Sequence, residues 1–206
     1  MAKKSKSSQR WVTRQRKDQF VKAAAAGGLG SRAHFKLKEI DERFRLVNIK
    51  SQILELGAAP GGWTRYLAEK ASQGRIVACD IKAISAPENV MFIEGAFGEA
   101  QVDEKIAQLV KDTPLDLVLS DMAPNISGIR IRDQALSMEL VEIATDAARQ
   151  WLKPGGSLLV KMFHGEGVEG WLKEARLHFQ KVNLIKPKSS RSESREVFGL
   201  AQKLKA

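Results

Sequence analysis

The chain has 206 residues, 43% hydrophobic and 28% charged, with 34 Lys and Arg against 24 Asp and Glu. That length suits one globular domain with short tails and a core that needs neither disulfide nor metal. A single cysteine, Cys79, excludes a disulfide framework and a cysteine-built zinc site. No apolar run approaches about 18 residues, so no membrane-spanning helix is expected. The lysine- and serine-rich start lacks the apolar stretch of a secretory signal. A reducing, cytoplasmic location is the expectation.

The charge is concentrated at the two ends. Residues 1–38 hold 11 basic residues and one acid, Asp18; residues 39–180 hold 16 basic and 21 acidic; residues 181–206 hold seven basic and two acidic. A mildly acidic body with basic ends implies a polyanion-binding surface. A membrane-surface helix would need an apolar face, and residues 1–17 offer only Trp11 and Val12 as large apolar groups. Nucleic acid is therefore favoured over anionic lipid. Arg10, Arg14, Arg16, Lys17, Arg32 and Lys36 are the candidate contacts, against the alternative of a solubilising tail.

Residues 1–10 are low in complexity, and residues 1–30 read as a basic, flexible arm ahead of a domain over 31–206. Ser31 is placed to cap a helix reaching Phe44, with Phe35, Leu37, Ile40 and Phe44 as its apolar spacing. Strand-like and helix-like segments then alternate. Strands are predicted at 52–56, 75–80, 89–95, 116–121 and 157–163. Helices are predicted at 61–72, 101–111, 134–152 and 167–179. Leu136, Leu140, Ile143, Ala144, Ala147, Ala148 and Trp151 mark the third of these helices, which Pro154-Gly155-Gly156 is expected to stop. Two last strands are predicted at 181–186 and 196–201. The alternation implies an α/β fold, a mostly parallel sheet with helices on both faces. Apolar runs such as 117–119 and 158–160 suit strands buried on both sides.

In such sheets ligands bind beyond the carboxyl ends of the strands. After the first strand comes ELGAAPGGW (55–63), where Gly57, Gly61 and Gly62 allow close backbone approach and Pro60 sits where a helix is expected to begin. The spacing is neither GxGxxG nor a P-loop. The second strand ends in Asp80, placed to accept hydrogen bonds from ribose hydroxyls. The fourth ends in SDMAPN (120–125), and the fifth carries VKMF (160–163). Lys161 lies inside an apolar run, where a lone ammonium is costly, so it requires a carboxylate partner. Asp121 is the first candidate and Glu196, beside Arg195, the second.

GAAPGGW, SDMAP, VKMF and SREVF together resemble the FtsJ-type ribose 2′-O-methyltransferases, over about Ser31 to Lys203. The resemblance implies a Rossmann-like, seven-stranded sheet with an antiparallel last strand, S-adenosylmethionine as cofactor, and a Lys-Asp-Lys-Glu catalytic set. By motif this set falls on Lys36, Asp121, Lys161 and Glu196. The implied reaction is methyl transfer to a uridine ribose in the A-loop of large-subunit rRNA, in the assembled or assembling subunit. The cofactor contacts implied are Gly57, Pro60, Gly61, Gly62, Trp63, Asp80, Phe97 and Asp121. One position departs from the pattern. The family's usual Asp after the third strand is Ala96 here, so Phe97 or its backbone, with Met122, is left to recognise the adenine.

The 2′-hydroxyl is a poor acid, and Lys161 can act as a neutral general base or as an orienting ammonium. Lys36 favours the first state and Asp121 the second, and the sequence leaves both open. His34, His164 and His178 lack metal-ligand spacing and read as surface or structural; no metal is expected, and the chain is expected to be a monomer. Cys79 reads as a core residue. Trp63 is expected to wall the cofactor pocket. Arg130, Arg132 and Arg195 are further candidate RNA contacts. Two alternatives remain at this stage, a non-catalytic RNA-binding or ribosome-assembly factor on the same fold and a tRNA methyltransferase.

Overall fold

The computed structural model describes residues 33–191 and 193–206. The basic arm, with Arg10, Arg14, Arg16, Lys17 and Arg32, and the cap expected at Ser31 lie outside the described residues. Seven strands and five helices follow in chain order: α1 (Ala33–Phe44), β1 (Gln52–Leu56), α2 (Gly62–Lys70), β2 (Arg75–Asp80), β3 (Val90–Glu94), α3 (Ala100–Val110), β4 (Leu115–Ser120), α4 (Arg130–Trp151), β5 (Leu152–Phe163), α5 (Val168–His178), β6 (Phe179–Ile185) and β7 (Glu196–Leu204). They form one sheet in the order β3-β2-β1-β4-β5-β7-β6. The first five strands pair in parallel, while β7 lies antiparallel to both β5 and β6. The expected fold class is what the structure has.

The strand order places the switch point between β1 and β4, where the chain leaves the sheet in opposite directions. β1 and β4 are buried on both faces, which explains their unbroken apolar runs. α3, α4 and α5 cover one face through Val102, Ile106, Val141, Ala144, Trp171 and Leu172. α1 and α2 cover the other through Leu37, Ile40, Trp63, Tyr66 and Leu67. Each fully buried side chain of this size contributes about 1.5–3 kcal/mol of transfer free energy. Two of the polar groups inside these layers find partners there: the Trp171 indole donates to Thr145 Oγ1 at 2.9 Å, and the Tyr66 hydroxyl donates to Asp41 Oδ2 at 2.6 Å.

Three local expectations need correction. α1 buries His34, Leu37, Ile40 and Asp41, while Phe35 and Phe44 are only half-buried. Its inward face is turned by one residue because Asp41 satisfies the amides of Leu46 and Val47 below the helix end. α4 starts four residues earlier than the apolar spacing predicts. Its first turns bury polar groups instead, Asp133, Gln134 and Ser137. It ends at Trp151, and Pro154-Gly155-Gly156 lie in an irregular stretch of β5, where pairing to β4 jumps from Leu152 to Ser157.

Glu55 is the one carboxylate within β1 and is wholly buried. Neither its oxygens nor the Thr64 hydroxyl has a hydrogen-bond partner of good geometry among the described residues. Burial pushes its carboxyl up to about 8; Thr64 opposes this, and the Asp121 and Asp80 charges reinforce it. The folded chain thus keeps a proton that the unfolded chain loses near the ordinary value of 4.5. Stability should fall as pH rises from about 4.5 to 8, since the unfolded state binds fewer protons across that window. Glu55→Gln should flatten this slope. Urea midpoints of parent and variant at pH 5, 6.5 and 8 check it; parallel slopes would refute a protonated Glu55.

Candidate active site

The ends of β1, β2 and β4 are tied together by backbone bonds. Gly57 and Ala58 donate to the Cys79 carbonyl at 2.9 and 3.1 Å, and Asp121 donates from its amide to the Leu56 carbonyl at 2.9 Å. Gly57 has φ +79°, and a Cβ there would lie 2.7 Å from the Met122 nitrogen. No side chain fits, which is the physical reason for glycine at the switch point. Asp80 anchors the same turn from β2. Its Oδ2 accepts from the Ala59 amide at 2.8 Å and its Oδ1 from the Lys82 amide at 2.9 Å. Both oxygens keep a lone pair for a ligand hydroxyl.

These strand ends surround a cleft of about 410 Å³, lined by Gly57, Asp80, Ala96, Phe97, Asp121, Met122 and Lys161 among others. Cys79, Ile81 and Lys82 also line it and were not singled out by sequence; their place follows only from the end of β2. The Cys79 thiol is buried as expected, pushed up to about 11 by that burial. Phe97 stands edge-on to Trp151, with ring centres 5.9 Å apart. That contact fixes the side of the cleft next to Ala96.

Ala59 also lines the cleft, while the turn from Pro60 to Trp63 lies outside its lining. Pro60 is exposed and follows a cis peptide bond, two residues before α2 begins at Gly62. Gly61 is the N-cap residue, in the left-handed conformation, and Gly62 is buried in the first turn. Trp63 does not wall the cleft. It is 2% exposed, packs on Phe198 at 5.8 Å, and donates its indole hydrogen to the Ala33 carbonyl at 2.8 Å. It locks α1 onto the sheet, because residue 63 is inward-facing on α2. His34 is buried beside it, edge-on to Tyr66 at 5.3 Å, and burial lowers its imidazole below the ordinary value. Its reading as structural is the one the packing supports.

The four charged residues singled out by motif form two ion pairs. Lys161, on β5, donates to Asp121 Oδ1 at 2.9 Å and also to the Asp121 carbonyl. Lys36, on α1, pairs with Glu196, the first residue of β7. All four side chains are between 10% and 17% exposed, so each is partly desolvated, and Asp121 and Lys161 line the cleft. The β5–β7 register sets Lys161 opposite Phe198 and Phe163 opposite Glu196. Lys161 and Glu196 are therefore diagonal neighbours, roughly 7–8 Å apart at the backbone. Lys161 has Asp121 as its partner, and Glu196 serves Lys36 instead. The Lys36 ammonium also stands 6.0 Å from the centre of the Phe198 ring.

Arg130 and Arg132 are exposed at the start of α4. The loop before them is ordered by Asp133, which accepts from the Ser127 hydroxyl and amide at 2.7 and 2.8 Å. Those bonds hold its carboxyl below the ordinary value. Ile126, Ile129 and Ile131 stand out beside the arginines, 60–79% exposed; the sequence reading passed over this ridge because isoleucine normally signals core. Arg195 is half-buried and tied to Gln134 Oε1 at 2.5 Å. Among the described residues no group of three His, Cys, Asp or Glu is arranged to hold a metal, and no helix is long and apolar enough to cross a membrane.

Known proteins resemble this chain in sequence and fold. The sequence profile of the FtsJ-like methyltransferases matches residues 29–204. The chain is 48% identical over 200 residues to ribosomal RNA large subunit methyltransferase E of Legionella pneumophila, covering 97% of each chain. It is 44% identical to the protein of that name from Pseudomonas aeruginosa, again over 97% of each. Among solved structures, a chain assigned as a ribosomal RNA methyltransferase from Plasmodium falciparum superposes with a TM-score of 0.76 at 30% identity, over 85% of this chain and 98% of that one. A Streptococcus mutans chain assigned as a methyltransferase and solved with SAH has the same fold, with a TM-score of 0.52 at 17% identity over 78% and 90%. The profile match spans most of the chain and the relatives are nearly half identical along their whole length: this protein belongs to the FtsJ-like methyltransferase family.

Proposed function

We propose that the protein transfers a methyl group from S-adenosylmethionine to a ribose 2′-hydroxyl of large-subunit rRNA, a uridine of the A-loop in the assembled or assembling subunit. The observation that carries this reading is the Lys161–Asp121 pair at the rim of the cleft, beside the Lys36–Glu196 pair. Large-subunit rRNA is favoured as substrate over tRNA by the names of the relatives. A non-catalytic role would leave two partly buried ion pairs without a task.

The cleft suits the cofactor. Gly57 admits a ligand against bare backbone, Asp80 retains acceptor capacity for ribose hydroxyls, and Phe97 and Met122 offer apolar surface for an adenine. When bound, S-adenosylmethionine supplies an electrophilic sulfonium methyl. The protein's task is to hold a ribose oxygen in line behind it, at about 3 Å. Asp121, with two oxygens on one side-chain nitrogen, aims Lys161. Lys161 then orients the hydroxyl and stabilises the negative charge that develops on its oxygen as the oxygen–methyl bond forms and the sulfur–methyl bond breaks; the hydroxyl proton passes to bulk water late in the step. Lys36, fixed by Glu196, adds positive potential on the ribose side. Arg130, Arg132, Arg195 and the arm residues Arg10, Arg14, Arg16, Lys17 and Arg32 are assigned to the RNA backbone.

Labelled methyl transfer to rRNA, large subunits and tRNA, with mapping of the labelled nucleotide, tests the reading as a whole. Lys161→Ala should slow single-turnover transfer by at least about 100-fold, the scale of a positioned acid–base group, with cofactor and RNA affinity within a few-fold. Lys161→Arg should not restore it, because a guanidinium is larger and its fork does not fit an ammonium's place. A near-parental rate for Lys161→Ala would overturn the mechanism.

Ala96 lines the cleft without a hydrogen-bonding side chain. Ala96→Asp should tighten S-adenosylmethionine binding by about 1 kcal/mol, one hydrogen bond's worth. Asp80→Ala should weaken it, since the Ala59 amide also loses its acceptor. Titration calorimetry on both variants checks this, and unchanged affinity for Ala96→Asp would mean the backbone already supplies the adenine contact.

Deleting residues 1–30 should weaken rRNA binding and reduce its salt dependence, while cofactor affinity stays constant. An unchanged salt slope would reduce the arm to a solubility tail.

A further inference from the structure

A second cavity, of about 450 Å³, opens beside the ion pairs where β5 and β6 end and β7 begins. Its wall includes Arg130, His164, Leu184, Lys186, Arg195 and Val197. Three cations face one carboxylate, Glu193, across it. The cofactor cleft balances its cations and carboxylates: Lys82 and Lys161 stand with Asp80 and Asp121.

Arg195 is positioned by neutral groups. Arg195 donates through Nη2 to Gln134 Oε1 at 2.5 Å and to the His164 carbonyl at 3.0 Å, and through Nε to that carbonyl at 3.3 Å. Its guanidinium also stands 5.9 Å from the Phe163 ring centre. Lys186 donates to the Ser194 carbonyl at 2.7 Å. Among the described residues neither Arg130 nor Arg195 has an ion-pair partner, so one held guanidinium and one exposed one are left for an anion. The floor is different in character: Leu184 is 37% exposed and lies on β6 at the sheet edge, next to the buried Ile185 and Val197. A cationic rim over an apolar floor matches the two halves of a nucleotide, phosphate and base.

Its location gives the ligand a role. Arg195 immediately precedes Glu196, so the cavity starts about one residue rise, roughly 3.3 Å, from the Lys36–Glu196 pair. We propose that this cavity is a nucleotide subsite. Arg130, Lys186 and Arg195 hold a backbone phosphate, and the Leu184–Val197 floor receives the base that flanks the methylated residue. Single-stranded RNA with unstacked bases is the form that fits, since a paired base cannot enter. The inference rests on RNA being the substrate.

The test uses the full chain, large ribosomal subunits and labelled S-adenosylmethionine. Leu184→Asp and Arg130→Ala lie at exposed positions whose side chains carry no hydrogen bond among the described residues, so both variants should fold. Each should raise the Kd and KM for rRNA about tenfold, the scale of one lost base or phosphate contact, with cofactor affinity unchanged. Lys111→Ala, the same charge change at the far end of α3, should leave both constants alone. A photo-crosslinker at position 184 should label the nucleotide adjacent to the methylated one. Parental Kd and KM in both variants, or a crosslink absent or distant from the methylated nucleotide, would overturn the subsite while leaving the methyltransferase reading intact. An enzyme that binds rRNA through these residues but transfers no methyl would overturn that reading and leave the subsite standing.

Discussion

An ammonium two residues from the end of a central strand is the constraint around which this structure is arranged. Lys161 is flanked by Val160, Met162 and Phe163, in a strand whose neighbours are buried. Without a partner its charge would cost several kcal/mol, and removing one half of such a pair strands the other. Asp121 meets this need because β4 and β5 run parallel in a register that places Ser120 beside Val160. The next residue of each strand then meets across the sheet end. The pair is possible only with that order of strands, and the order in turn leaves the switch point between β1 and β4 open for a ligand.

The turn after β1 depends on the same alignment from the other side. The Cys79 carbonyl, the Asp80 carboxylate and the Leu56 carbonyl bind the turn and the start of the β4 loop into one rigid rim. Gly57 is the point where these backbones come closest. Glu55 lies just beneath, wholly buried and without hydrogen bonds. A neutral carboxyl there avoids placing a third negative charge near Asp80 and Asp121, which the cleft would otherwise have to balance.

β7 and α4 extend this rim toward the second cavity. β7, antiparallel between β5 and β6, delivers Glu196 on one face and Arg195 and Val197 toward the other. The polar first turns of α4 complete the work: Asp133 orders its preceding loop, Gln134 holds Arg195, and Ser137 accepts from the Phe163 amide at 3.1 Å. A helix whose inward face were apolar throughout would pack as well but leave these strand-end groups unsatisfied. The same elements thus separate a charge-balanced cleft from a cationic one, on adjoining parts of the rim.

By itself the sequence determined the α/β alternation, the parallel sheet, the glycine turn, and the need of Lys161 for a carboxylate. Each of these follows from local spacing or from the cost of burying a charge, both readable without coordinates. The motifs further carried the resemblance to a family. Only the tertiary structure decided how the charges pair: the sequence put Asp121 first and Glu196 second as partners of Lys161, and the fold gives Asp121 to Lys161 and Glu196 to Lys36. Trp63 follows the glycine turn directly in the chain, yet the helical turn at Gly62 rotates it into the core against Phe198, away from the cleft. The burial of Glu55 between two sheet neighbours is visible only in the fold. The cationic cavity draws its residues from α4, β6, β7 and the end of β5, up to 67 positions apart, and no local pattern brings such residues together. Proximity across strands is set by strand order and register, and these are properties of the folded sheet rather than of any one segment.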